Sequence, residues 1–107
     1  MNHKVTIALD AMGGDLGPKA VIPAARAILE KDDSVNLILV GLPDVLESAR
    51  HQAGSKAGGR LSFQAAGEVV EMDEHPAEAL RKKKDSSLRV SVELVRDGLA
   101  DACVSSG

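Results

Sequence analysis

At 107 residues the chain can form one domain at most, with enough surface to bury for a modest core. Phe63 is its only aromatic residue and the net charge is −3, which excludes aromatic stacking platforms for single strands and a basic face for a duplex, so no nucleic-acid partner is expected. Cys103 is the only cysteine, so no intrachain disulfide can form and a reducing cytoplasm is the expected compartment, while the apolar runs are far too short to span a bilayer.

Val5–Asp10 is a short apolar run of the kind buried on both faces of a parallel sheet. Asp10-Ala11-Met12-Gly13-Gly14-Asp15-Leu16-Gly17-Pro18 follows it. In a helix interior each Gly costs about 1 kcal/mol and Pro about 3 kcal/mol, so this segment reads as a tight turn between strand and helix. Val21, Ile22, Ala25, Ile28 and Leu29 then recur at helical spacing over Pro18–Lys31. Pro is tolerated only in a first turn, so Pro18 and Pro23 leave the start of the regular helix open between Pro18 and Ile22. Asp32-Asp33-Ser34 is a turn, and Val35–Val40 is a second buried strand ended by Gly41. Pro43 suits the first position of a helix whose apolar stripe is Val45, Leu46 and Ala49. Ala53–Gly59 is a flexible loop, Leu61–Ala66 a third strand, and Gly67–Glu74 irregular and acidic. Pro76 opens a short helix that ends near Lys83. Ser86 or Ser87 caps another, with Leu88, Val92 and Val95 as its core face and Gly98 as its terminator. Asp101–Ser105 is a fourth strand.

This alternation predicts a three-layer α/β/α fold with a mostly parallel, Rossmann-like sheet. The last strand runs directly into Ser105-Ser106-Gly107. Residues 1–107 are therefore expected to be the N-terminal part of one α/β domain, truncated after residue 107. The sheet would then be incomplete, with an exposed apolar edge that favours self-association.

Ligands of open α/β sheets bind outside the carboxyl ends of the strands, where the first loop stands. Gly13 and Gly14 are expected to reach unusual φ values and let the backbone approach a ligand. Asp10 and Asp15 put two carboxylates beside that opening, either holding the turn through backbone N–H groups or binding a substrate donor. The loop is neither a phosphate-binding Walker loop nor the dinucleotide fingerprint G-x-G-x-x-G, so a nicotinamide cofactor has no support. A second candidate is Arg81-Lys82-Lys83-Lys84-Asp85-Ser86-Ser87, where four cations end one helix and two hydroxyls begin the next. Dipole complementarity and N-capping explain it without a ligand. Alternatively, helix N–H groups, Ser86, Ser87 and a lysine converge on an anion. Ser105, Ser106 and Gly107 share the edge of the first loop if the strands are parallel. His3, His51 and His75 have no metal-ligand spacing, and no metal site is expected. Cys103, between Ala102 and Val104, reads as a small core residue.

Asp10–Pro18 (DAMGGDLGP), Met72–Val90 (MDEHPAEALRKKKDSSLRV) and Ala100–Gly107 (ADACVSSG), in this order and spacing, resemble the bacterial phosphate acyltransferase (PlsX) family over essentially the whole chain. The resemblance implies an α/β enzyme that forms acyl phosphate from fatty acyl-acyl carrier protein and orthophosphate. It further implies that the acyl phosphate feeds a glycerol-phosphate acyltransferase in phospholipid synthesis. A cytoplasmic homodimer, peripherally associated with the membrane and without metal or organic cofactor, is what the family leads one to expect. Members are several times longer, and their equivalent of the last strand continues into a Gly-Asn-Thr-Gly-Ala loop of which Gly107 alone is present. The 107 residues by themselves are therefore expected to be inactive.

Phosphate attack on a thioester needs little proton chemistry, because phosphate is already anionic and the leaving thiol resembles a Cys side chain, with a pKa of about 8.5. Positioning and oxyanion stabilisation are the main demands. With the family in view, Lys84, Ser86 and Ser87 are expected to hold phosphate. Asp10, Gly13, Gly14, Asp15, Ser105, Ser106 and Gly107 would line the rest of the substrate pocket. Arg81, Lys82 and Lys83 would dock the acidic carrier protein, and no residue is assigned as catalytic. The competing readings are a phosphotransacetylase-like enzyme, separated by a preference for coenzyme A over carrier protein, and a non-catalytic phosphate-binding fragment.

Overall fold

The computed structural model describes residues 4–13, 16–53, 58–68, 75–83 and 85–105. Four strands, β1 (Val5–Asp10), β2 (Val35–Gly41), β3 (Leu61–Ala65) and β4 (Ala102–Val104), form one parallel sheet in the order β3-β2-β1-β4. Leu9 lies opposite Leu39 on one side and Val104 on the other, which fixes the register across three strands. The helices are α1 (Pro18–Lys31), α2 (Pro43–Ala53), α3 (Pro76–Lys82) and α4 (Ser87–Arg96).

Strand alternation divides the core. Leu37 and Leu39, with Ile7 and Leu9, pack against Ile22, Ala25 and Leu29 of α1 and Leu46 and Ala49 of α2. Ala8, Val40 and Ile38 face the other way, onto Val90, Leu94 and Val95 of α4. The chain steps outward from β1 to β3 with α1 and α2 on one face. It then returns past β1 to β4 with α4 on the other, as right-handed crossovers in opposite directions require. The expected α/β layering is thus present, and the strand order reverses between β1 and β4.

Helix α1 begins at Pro18, the earlier of the starts the sequence leaves open, and Pro23 lies inside it. Pro23 is exposed, and burial of Ile22, Ala25 and Leu29, at roughly 1.5–3 kcal/mol for each large side chain, offsets a proline cost of about 3 kcal/mol. Helix α4 packs Val95 on the core as expected, but its most buried face is another. Its buried residues are Ser87, Ser91 and Leu94, whereas Val92 is 40 % exposed. Ala8, Ala66 and Ala100 share a core cluster with Leu94. The Ser91 hydroxyl donates to the Ser87 carbonyl at 2.7 Å, and among the described residues no buried side-chain polar atom lacks a partner. Cys103 is exposed rather than in the core, because β4 is an edge strand whose three residues are all exposed.

Gly98 does end α4, at φ +79. The Leu99 N–H reaches the Leu94 carbonyl and the Gly98 N–H the Val95 carbonyl, which is the paired bonding of a Schellman turn. Residues 54–57 of the expected loop and 69–74 of the acidic stretch lie outside the described residues, as does His3. Among the described residues, no helix is long and apolar enough to cross a membrane.

Candidate functional site at the carboxyl edge of the sheet

Asp10 ends β1, and alternation with Ala8 places it on the α4 side of the sheet. It is only 3 % exposed, so its carboxylate needs partners. Oδ1 accepts the Met12 N–H at 2.9 Å, holding the turn that leaves the strand. Oδ2 accepts the Ser105 hydroxyl, also at 2.9 Å, from a residue 95 positions away at the carboxyl end of β4. The two residues therefore join across the point where the strand order reverses, which is where open α/β sheets bind their ligands.

The loop after β1 also draws on glycines that the sequence reading did not single out. Gly13 is buried, and Gly17 is at φ +51, in the cap position before α1. Gly41, read from the sequence only as a strand end, also matters. A Cβ there would come within 3.3 Å of Met12 Sδ and 3.6 Å of Ala11 Cβ, so its absence lets the loop close over β2. Gly14, Asp15, Lys84, Ser106 and Gly107 lie outside the described residues.

The start of α4 shares this edge and this face. Ser86 is the N-cap, at φ −71 and ψ 153, and its Oγ accepts the Arg89 N–H at 3.1 Å. Gly67 and Glu68 both donate their N–H groups to the Asp85 carbonyl, and Ser87 donates its own to the Glu68 carbonyl at 2.9 Å. These bonds stitch the helix start to the chain leaving β3. Ser86 and Ser87 are buried at 0 % and 1 % exposure. Arg81 and Lys82 are exposed at the end of α3, and Lys83 is half-buried.

The histidines stand apart. His51 is exposed and pairs with Glu47 at 3.4 Å, and His75 is exposed. Among the described residues no group of three or more His, Cys, Asp or Glu is placed to hold a metal ion. An open groove of about 340 Å³ runs between α1 and α2, lined by Pro18, Ile22, Pro23, Val45, Ser48 and Gln52 among others.

Sequence reasoning also missed Asp101. Its carboxylate accepts the Thr6 N–H at 2.9 Å and its own N–H donates to the Thr6 carbonyl at 2.7 Å, at the end of the β1–β4 pair opposite to Asp10 and Ser105. An acid just ahead of a strand was the only local signal.

The fold and this edge define an open parallel α/β domain of the type that binds ligands at the carboxyl ends of its strands. More narrowly, the chain belongs to the fatty acid synthesis protein family, whose model matches residues 5–107. A phosphate acyltransferase of Methylococcus capsulatus is 55% identical over 102 residues, covering 95% of this chain and 30% of the relative. A phosphate acyltransferase of Alkalilimnicola ehrlichii is 51% identical over 107 residues, covering 100% of this chain and 31% of the relative. That of Pseudomonas paraeruginosa is 54% identical over 101 residues, covering 94% and 30%. The chain thus spans about 30% of the length of these curated relatives. The solved structure of protein Rv1636 from Mycobacterium tuberculosis H37Rv aligns with a TM-score of 0.49 at 18% identity, covering 98% of this chain and 72% of that one.

Proposed function

We propose that residues 1–107 are the N-terminal part of a phosphate acyltransferase that makes acyl phosphate from fatty acyl-acyl carrier protein and orthophosphate, for phospholipid synthesis. The observation that carries this reading is the Asp10–Ser105 junction at the strand-order reversal, in a chain 51% to 55% identical to proteins named phosphate acyltransferase. In the reaction, a phosphate oxygen bonds to the thioester carbonyl carbon and the C–S bond breaks. Acyl-S-carrier and HPO4²⁻ give acyl phosphate dianion and carrier thiol, the phosphate proton ending on sulfur. Orthophosphate sits in the crevice on the α4 side of the edge. Lys84, Ser86 and Ser87 hold the anion, and Asp10, Gly13, Gly14, Asp15, Ser105, Ser106 and Gly107 serve the rest of the substrate pocket. Arg81, Lys82 and Lys83 dock the acidic carrier protein. The complete enzyme is a homodimer that meets the membrane peripherally and passes its product to a glycerol-phosphate acyltransferase, and the 107 residues alone do not turn over.

The test is to extend the reading frame past the codon for Gly107 and assay its full product. With acyl-acyl carrier protein and orthophosphate, hydroxylamine should trap acyl hydroxamate. Preference for acyl-coenzyme A would favour a phosphotransacetylase-like enzyme. A stop codon after Gly107, with phosphate binding and no turnover, would leave a binding fragment and overturn the proposal.

A further inference from the structure

Gly41 touches both segments that carry the candidate site. It ends β2, and its carbonyl accepts the Ala66 N–H at 2.9 Å where the chain leaves β3. From Ala66 the chain runs on to Gly67 and Glu68, whose N–H groups bond to the Asp85 carbonyl, and so to Ser86 and Ser87 at the start of α4. The side-chain position of Gly41 faces the other segment, the loop after β1. A Cβ there would stand 3.3 Å from Met12 Sδ, inside ordinary contact distance, and 3.6 Å from Ala11 Cβ. Ala11 donates its N–H to the Val40 carbonyl at 2.8 Å, and Met12 donates its own to the Asp10 carboxylate at 2.9 Å. Pressure on either side chain therefore bears on a tethered backbone that leads directly to Gly13.

The backbone at Gly41 does not itself require glycine, since its φ is not positive. What requires glycine is the space beside it. The third neighbour, Leu46 Cδ2 at 3.7 Å, is buried in the packed core under α2, so a larger residue displaces the loop in preference to the helix. The bond from Ala66 to the Gly41 carbonyl is a backbone bond and survives a change of side chain. A larger residue would thus move the β1 loop while the segment leading to Ser86 and Ser87 stays in place. We infer that Gly41 is a positioning residue: its missing side chain sets the spacing between the β1 loop and the start of α4, and through that spacing the rate of acyl transfer to phosphate. The inference rests on the proposed function and deepens it, by naming a residue outside the pocket that fixes the pocket's width.

The test uses the full reading-frame product, with acyl phosphate trapped as hydroxamate. Because a misplacement of about 1 Å costs on the order of 100-fold, kcat should fall about threefold in Gly41→Ala and about tenfold or more in Gly41→Val. KM for acyl-acyl carrier protein should stay within about twofold, because the carrier docks on α3. The melting temperature of Gly41→Ala should not fall, because alanine fits this backbone and narrows the unfolded ensemble. Met12→Ala removes the atom that a Cβ at position 41 would press. In a Met12→Ala background Gly41→Ala should cost less than about twofold, a coupling that a merely structural glycine would not show. Wild-type kcat in Gly41→Ala or in a folded Gly41→Val protein would overturn the assignment. So would an equal loss from Gly41→Ala with and without Met12→Ala, and each of these results leaves the proposed function standing. A full product that forms no acyl phosphate would overturn both. The paired comparison decides even where Gly41→Val does not fold.

Discussion

Asp101 meets Thr6 twice across the β1–β4 pair, once through its carboxylate and once through its backbone N–H. Ser105 and Asp10 meet at the other end of the same pair. Strand β4 is only three residues long, so these two contacts bracket a very short ladder. Asp101→Ala should lower stability by about 1–2 kcal/mol, since it leaves the Thr6 N–H without its side-chain acceptor. Hydrogen exchange at the Cys103 amide should quicken with it. Unchanged exchange there would show that the ladder holds without the clasp.

Helix α4 depends on its two ends. Ser86→Ala removes the oxygen that receives the Arg89 N–H and should cost about 1 kcal/mol in urea denaturation. Gly98→Ala should cost a similar amount, about 1–2 kcal/mol, through backbone strain alone. A Cβ at Gly98 meets nothing within 4 Å, and the residue sits at φ +79. If the Ser86→Ala, Ser87→Ala double variant of the full product kept its apparent affinity for phosphate, those serines would be structural only.

The β4 edge should be reactive and adhesive. Cys103 is exposed, and its neighbour Val104 is 50 % exposed. A thiol reagent should therefore modify Cys103 in the native chain at a rate within about threefold of that in denaturant. Sedimentation should show an average mass that rises with concentration, and Val104→Lys should suppress the rise. A protected thiol and a concentration-independent monomer would contradict this description of the edge.

Acid should act locally at the turn before β2. The Ser34 hydroxyl and then the Ser34 backbone N–H hold the Asp32 carboxyl below its ordinary value of 3.8, with a smaller pull from Arg60. A carboxyl lowered by folding stabilises the native state fully above pH 3.8 and loses that contribution as pH falls through its lower folded value. Ser34→Ala should move the Asp32 titration upward, followed by carbon-detected NMR. An unmoved titration would mean that another group sets it.

The exposed cations of α3 give a prediction about the carrier protein. Reversing Arg81 and Lys82 to glutamate in the full product should raise KM for acyl-acyl carrier protein several-fold at low salt and little at high salt. It should leave KM for orthophosphate alone. An effect independent of salt would remove the docking role.

The strands, their parallel order and the edge that carries the loops were legible because buried runs such as Val35–Val40 declare themselves locally. The face of α4 was legible only in part. Hydrophobic periodicity points to Leu88, Val92 and Val95, of which Val95 does pack on the core, but the most buried positions are Ser87, Ser91 and Leu94. Cys103 was misread for a different reason. Its apolar neighbours describe a strand, whereas being at the edge is a property of topology. Asp10 stood out as an acid at a strand end, yet its partner lies 95 residues away, beyond any local spacing rule.

A titration of the ¹⁵N-labelled chain with orthophosphate would bear most directly on the crevice between β1 and β4. Saturable shifts should appear at the amides of Met12 and Ser105, residues that both donate a hydrogen bond to the Asp10 carboxylate. Saturable shifts confined to other residues, or none at all, would mean that the Asp10–Ser105 junction is a structural clasp and that phosphate is handled elsewhere.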